Sequence, residues 1–289
     1  MISQIKLLLK KLTTSQQRVY LKRKKRHVQL FFSKGKSKTT LEELKSQLTD
    51  VLQLQAGDRI IVASSFGYLN AKYSPEDVIE LLQNIITSDG TIMMPFYPPI
   101  NSDEWAKGNY VFDMRTTQSG MGVLTNVFSK MPGVYKSIHP TKAVCVWGRD
   151  AQMIVAGHNN STTPFYWDSP YGKFLKMGCK SLGLGLKNIP IFHTFEDVLS
   201  SNKFEYYFPE SIPLRVKLIS GEEIQVNTHI HNTDVLNHCV SAGDFVASLH
   251  CKTYKKVGFG LSFLYVIDNT DLYNQVKLSF EKGITRQRK

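Results

Sequence analysis

His193 and Glu196 stand three residues apart at the end of Ile189-Pro190-Ile191-Phe192-His193-Thr194-Phe195-Glu196. An imidazole titrates near neutral pH. A carboxylate beside it orients the ring and raises its basicity, so the pair is the minimum equipment for taking a proton from an amine, a hydroxyl or a thiol. At i and i+3 the two residues share one helix face, and structural His–Glu pairs use the same spacing. The pair closes a unit that opens at Asp168 with the turn Ser169-Pro170 and runs through a short apolar strand, Ser181-Leu182-Gly183-Leu184-Gly185-Leu186. A strand of this kind carries the loop behind it, and the residues on that loop, to one place. Asp168 is a second carboxylate in the unit, either a partner in the chemistry or the cap of its own turn.

The rest of the chain supplies the frame. Thr40 with Glu43 has the form of a capping box, and Leu41, Leu44, Leu48 and Val51 follow at helical spacing. Gly57-Asp58 ends that helix and opens a strand from Arg59 to Ser65, whose unbroken apolar run fits burial on both faces. Ser74-Pro75 starts a second helix, and Ser88-Asp89-Gly90 turns into a second strand at Thr91-Ile92-Met93-Met94-Pro95. Helix, strand, helix, strand is the rhythm of a layered α/β fold. From Phe96 to about Thr117 the pattern is irregular and aromatic-rich, the length at which loops are usually functional. A helix is expected from about Gly120 to Phe128, a strand at Ala143–Gly148, and a last helix from about Asp268 to Lys282. From about Leu214 the chain is richer in strands, with a hairpin Leu214–Ile219 and Ile224–Val226 about the turn Ser220-Gly221-Glu222-Glu223.

Charge divides the chain. Residues 1–38 hold twelve Lys and Arg and no Asp or Glu, and the 24 remaining basic residues balance the 24 acidic ones, so the net charge of +12 belongs to the leader. We therefore read 1–38 as a basic N-terminal extension and 39–289 as the enzymatic domain. Ile2, Ile5, Leu8, Leu9 and Leu12 alternate with Lys6, Lys10 and Lys11, which suits a peripheral contact with an anionic membrane surface. A nucleic-acid arm and a plain solvated leader are the rival readings, and the interleaved leucines favour lipid over nucleic acid. No apolar run reaches the roughly 18–20 residues that cross a bilayer, and no secretory cleavage site follows the leader. Four cysteines without paired spacing point to reduced thiols and a cytoplasmic setting, with peripheral contact at the inner membrane face. His229-x-His231 lacks a carboxylate or cysteine at ligand spacing, so no metal is expected.

Six short motifs, in this order, resemble the aminoglycoside 3-N-acetyltransferase family, also called the antibiotic N-acetyltransferases. They are Leu54-Gln55-Ala56-Gly57-Asp58 leading into Val62-Ala63-Ser64-Ser65; Asp89-Gly90-Thr91 leading into Met94-Pro95-Phe96; Phe112-Asp113 with Gly120-Met121-Gly122; Ser137-Ile138-His139-Pro140; Ser169-Pro170 with Leu182-Gly183-Leu184-Gly185; and His193-Thr194-Phe195-Glu196. The resemblance covers about Leu54 to Val276. The resemblance implies an α/β fold with a mixed central sheet and acetyl transfer from acetyl-coenzyme A to an amine of an aminoglycoside or other amino sugar. It implies His193 as general base with Glu196 beside it, and no metal. It also implies coenzyme contacts at Ser64 and Ser65 and, at the next helix start, at Ser119 and Gly120; Thr116, Thr117 and Gln118 are further candidates. His139 and Tyr97 are expected at the acceptor, His139 with a strand-capping role as the alternative. Two departures bear on the acceptor. Ala63 stands where the family often has His, and Ile189-Pro190-Ile191-Phe192 stands where polar residues usually precede the base. A neutral body and a basic leader suit an amino sugar of a surface-polysaccharide precursor better than a polycationic drug. A non-catalytic relative that binds a sugar or nucleotide at the membrane is the rival class.

Overall fold

The computed structural model describes Lys24, Gly35 and residues 37–287 other than Lys203. The chain divides between Lys38 and Thr39. The expectations for the basic leader fall outside the described residues, and the body that follows holds all the elements below.

In chain order these are α1 (Leu41–Ser46), β1 (Arg59–Ser64), α2 (Pro75–Ile86), β2 (Thr91–Phe96), α3 (Ser102–Lys107), β3 (Val111–Asp113), α4 (Val123–Phe128), β4 (Tyr135–Lys136), β5 (Ala143–Gly148), α5 (Ala151–Val155), α6 (Pro170–Lys176), β6 (Lys180–Leu184), α7 (Phe192–Leu199), β7 (Tyr207–Lys217), β8 (Glu223–His231), α8 (Thr233–His238), α9 (Ala242–Val246), β9 (Lys255–Phe259), β10 (Ser262–Asp268) and α10 (Asn269–Glu281). A seven-stranded sheet runs β4-β5-β2-β1-β6-β10-β9, and a three-stranded sheet runs β3-β7-β8. β1 is parallel to β2 and to β6, while β5 and β10 flank this trio antiparallel. The central sheet is therefore mixed, in a layered α/β fold.

Local chemistry explains the starts. Glu43 N–H donates to Thr40 Oγ1 at 3.2 Å, and Thr40 N–H donates to the Glu43 carboxylate at 2.8 Å. Ser74 and Asp77 repeat the reciprocal pair at α2. The apolar run of β1 splits between two cores. Ile60 and Val62 pack with Leu44, Leu82 and Ile92 on one face, and Ile61 packs with Met93, Phe174 and Phe192 on the other. Burial on both faces is why the strand reads as continuous rather than alternating.

Three elements differ from expectation. α4 begins at Val123, after Gly122 at φ 112, because that backbone angle lies outside the helical region. The irregular stretch after Pro95 contains α3 and β3, and β3 pairs parallel with β7 a hundred residues on, through Phe112↔Val216. β7 starts at Tyr207 rather than Leu214, where Pro209, Glu210 and Ser211 hide the strand and the pairing with β8 shifts register between Tyr207 and Ser211.

Candidate active site

The segment behind β6 carries the site. Gly185, at φ 79, turns the chain where a Cβ would lie 2.9 Å from Ser65 O, so the ends of β1 and β6 approach as only glycine permits. The next residues hold the helix that bears the imidazole. Ile189, Ile191 and Phe192 are buried, and Phe192 N–H donates to Ile189 O at 3.1 Å. The apolar departure from the family pattern is thus an anchor that seats α7 in the core. Phe192 and Phe195 face that core, Glu196 is buried, and the His193 side chain keeps 29% of its surface open.

His193 Nδ1 lies 2.8 Å from Glu196 Oε2. The other carboxylate oxygen, Oε1, accepts from Arg286 Nε at 2.7 Å and pairs with Arg286 Nη2 at 2.5 Å. A carboxylate held in this way only accepts. The hydrogen therefore sits on Nδ1, and Nε2 is left with its lone pair. Burial lowers the basicity of His193, the Glu196 hydrogen bond and charge push it back up, and the Arg286 and Lys142 charges lower it again. The remaining exposure keeps the burial effect partial. The balance falls below the ordinary imidazole value, so the ring is neutral at pH 7 and ready to accept a proton.

The wall around it is aromatic. Phe165 is 5.0 Å and His231 4.7 Å from His193, ring centre to ring centre. His231 is 6% exposed and stacks on Phe165 at 5.4 Å. Burial first, then the His193 charge, hold it well below the usual imidazole range, and its Nε2 has no hydrogen-bond partner among the described residues. Behind it Asp197 accepts from Thr163 and, at 2.7 Å, from Tyr207. Desolvation raises the Asp197 carboxyl well above the carboxylate range.

Not all the expected residues converge. Asp168 is exposed and accepts from Thr162 N at 3.0 Å and Thr162 Oγ1 at 2.8 Å, the contacts of a turn cap. Ser64 and Ser65 sit at the carboxyl end of β1, the side on which open α/β sheets bind ligands. Ser65 N–H is spent on Leu184 O at 2.8 Å, which leaves its hydroxyl as a donor. Ser119 and Gly120 lie ahead of α4 and are tied into its approach: Ser119 N–H donates to Asn126 Oδ1 at 2.8 Å and Gly120 N–H to Tyr97 O at 2.7 Å. The helix start expected there falls at Val123 instead. His139 is 1% exposed. Its Nδ1 accepts from Lys142 N at 3.0 Å and Thr141 N at 3.2 Å, so its Nε2 donates to Thr228 Oγ1 at 3.0 Å. With both nitrogens taken, this ring ties the start of β5 to β8 and has none to offer an acceptor. Tyr97 is partly exposed, its hydroxyl 2.7 Å from that of Tyr171. Sequence patterns miss Arg286, ninety residues from Glu196, and Lys142, whose ammonium rests 4.7 Å above the Tyr97 ring.

A cavity of about 400 Å³ lies elsewhere, between α3 and the small sheet, with Asp103, Phe208, Ile212 and Ile230 in its lining. Ile230 and His231 are neighbours on β8 and point to opposite faces, so this cavity is not the surroundings of His193. Among the described residues no three His, Cys, Asp or Glu side chains cluster as metal ligands.

A mixed α/β sheet with glycine-turned strand ends, followed by an imidazole–carboxylate–guanidinium chain, is the equipment of a group-transfer enzyme. The chain belongs to the aminoglycoside 3-N-acetyltransferase family, whose profile matches residues 61–281. It is similar to the SPbeta prophage-derived aminoglycoside N(3')-acetyltransferase-like protein YokD of Bacillus subtilis (strain 168), with 27% identity over 143 residues. That match takes in 42% of this chain and 52% of YokD, about half the relative's length. Among solved structures, aminoglycoside acetyltransferase AAC(3)-Xa superposes with a TM-score of 0.71 at 16% identity, over 92% of this chain and all of that one. AAC-IIIb in binary complex with CoASH gives 0.67 at 19% identity, over 88% of this chain and 100% of that one. Sisomicin-bound AAC-VIa gives 0.71 at 18% identity, over 86% and 100%. At these identities the superpositions establish a shared fold.

Proposed function

We propose that this chain transfers the acetyl group of acetyl-coenzyme A directly to an amino group of an aminoglycoside or related amino sugar, with His193 as general base. The observation that carries the reading is the 2.8 Å contact of His193 Nδ1 with Glu196, itself held by Arg286. An ammonium has no lone pair, so the acceptor reacts as its free amine, the first proton having passed to solvent. Nε2 takes the proton that the amine must lose as its nitrogen bonds to the acyl carbon, and returns it to sulfur as the coenzyme leaves as a thiol. Glu196 keeps the ring in the tautomer that does this. We assign the hydroxyls of Ser64 and Ser65, at the carboxyl end of β1, to the thioester oxygen as it gathers charge. Ser119 and Gly120 shape the loop before α4, Asp168 caps its own turn on Thr162, and His139 ties the start of β5 to β8. The related AAC-IIIb was solved with CoASH and AAC-VIa with sisomicin, which supports coenzyme and aminoglycoside as the substrate pair.

The deciding experiment is mass spectrometry of products from acetyl-coenzyme A incubated with a panel of aminoglycosides and nucleotide-linked amino sugars. A mass gain of one acetyl group on at least one acceptor is expected. Saturable sugar binding with no acetylated product across the panel would establish the non-catalytic reading instead.

The enzyme works in the cytoplasm, and its basic leader adds a peripheral contact with the anionic inner face of the membrane. Among the described residues no helix is long and apolar enough to cross a bilayer. The full chain should float with phosphatidylglycerol vesicles at low salt, and not with phosphatidylcholine vesicles or in 0.5 M salt. Equal recovery with both lipids would remove the electrostatic contact.

A further inference from the structure

Among the described residues, the ammonium of Lys142 acts on His193 without an ion-pair partner of its own. Its backbone N–H is fixed by His139 Nδ1 at 3.0 Å, and its Nζ lies 4.7 Å above the Tyr97 ring. A continuous wall joins it to the base. Tyr97 OH meets Tyr171 OH at 2.7 Å, the Tyr171 ring lies 4.7 Å from Phe165, and Phe165 lies 5.0 Å from His193. The Lys142 charge is felt by His193, His139 and His231 alike. Among the described residues no carboxylate comes within the 4.0 Å of an ion pair with it. The acid whose field reaches it is Asp103, on α3. Burial pulls Lys142 down to about 8, which still leaves it charged at pH 7.

The other charges around the base close on one another. Glu196 is paired to Arg286 at 2.5 Å, and Asp197 is buried, accepts from Thr163 and Tyr207, and is pushed toward its uncharged form by desolvation. A largely buried ammonium without a counter-ion is costly, and an anion that settles beside it recovers the cost through a charge-assisted hydrogen bond. A second cation brought to the same place meets repulsion instead.

We propose that Lys142 forms an anion-binding subsite beside His193, so that the preferred acceptor is an amino sugar that also carries a phosphate or a carboxylate. This rests on the acetyl-transfer reading of the same site. The acceptor amine then points to His193 while its anionic group sits against Lys142 and the face of Tyr97. A polycationic aminoglycoside fits this arrangement worst.

The test compares acceptors on the full chain: glucosamine, glucosamine 6-phosphate, 2-amino-2-deoxyglucuronate and tobramycin, each with acetyl-coenzyme A. At least one anionic acceptor should exceed glucosamine by tenfold or more in kcat/KM, and whichever does so identifies the anion. Lys142→Met should erase that advantage by raising the acceptor KM at least tenfold. The KM for acetyl-coenzyme A should stay within twofold, and Lys142→Arg should restore most of the preference. A wild-type enzyme that favours glucosamine or tobramycin overturns the inference. So does a Lys142→Met variant whose loss appears in the KM for acetyl-coenzyme A, which would make the lysine a coenzyme contact. If no acceptor is acetylated, calorimetry separates the two readings. Binding of glucosamine 6-phosphate or of the aminouronate that Lys142→Met abolishes keeps the subsite and removes only the acetyl transfer. Binding that survives the substitution, or that occurs with neither anion, removes the subsite.

Discussion

His193→Ala should lower the rate of coenzyme A release with any productive acceptor by about 10²- to 10⁴-fold, the range a positioned general base supplies. The Kd for acetyl-coenzyme A should change by no more than about twofold, because the candidate coenzyme side chains lie on β1 and the loop before α4, and not on α7. The pH profile gives the second half of the result. A base works in its neutral form, and His193 is held below the ordinary imidazole value of 6.5, burial being the largest cause. Wild-type kcat/KM should therefore rise through one ionisation below pH 6.5 and be flat above it, until the acceptor amine or another group titrates. Protonation removes the lone pair, so activity is lost as the pH falls and not as it rises. In His193→Ala this acid limb should vanish together with the rate. An acid limb that persists in the variant with most of the turnover would assign the base to another group.

Much of this frame can be read in the residues, and the reasons are local. Thr40–Glu43 and Ser74–Asp77 announce their helices because a capping box is complete within four residues. β1 and β5 are plain because burial on both faces leaves an unbroken apolar run. His193 and Glu196 can be read because one helix turn brings them together. What stays hidden is whatever long-range pairing decides. β3 is three residues in an aromatic loop and becomes a strand only against β7. β7 carries Pro209 and Pro213, residues that sequence rules assign to turns. The His139-Pro140 motif points to the acceptor, yet the His139 ring is used up by Thr228 on a strand some ninety residues away. Lys142 sits in an unremarkable Thr-Lys-Ala stretch, and only its seat on Tyr97 sets it apart.

Arg286 is the sharpest case of a residue that only the folded chain assigns. Its guanidinium lies beneath the site with 7% of its side chain exposed, grips Glu196 Oε1 through Nε and Nη2, and gives Nη1 to Val240 O at 3.0 Å. It also covers the Phe192 ring at 5.1 Å. Arg286→Met keeps most of the volume and removes the charge, so Glu196 is left buried without its partner. Breaking a buried pair from one side costs about 3–5 kcal/mol. For a body of this size that is a fall in Tm on the order of 10 °C. Loss of packing alone would have the same sign, so the pH profile distinguishes the two. The Arg286 charge lowers His193, and its removal frees the carboxylate that raises it. The acid limb of kcat/KM should therefore move to higher pH in the folded fraction of Arg286→Met, and Arg286→Lys, which keeps the charge without the two-nitrogen grip, should fall between. A melting point within a few degrees of wild type and an unmoved acid limb would show that Glu196 orients His193 without help from the C-terminal segment. A fallen Tm with an unmoved limb would make Arg286 a structural brace with no part in setting the basicity of the imidazole.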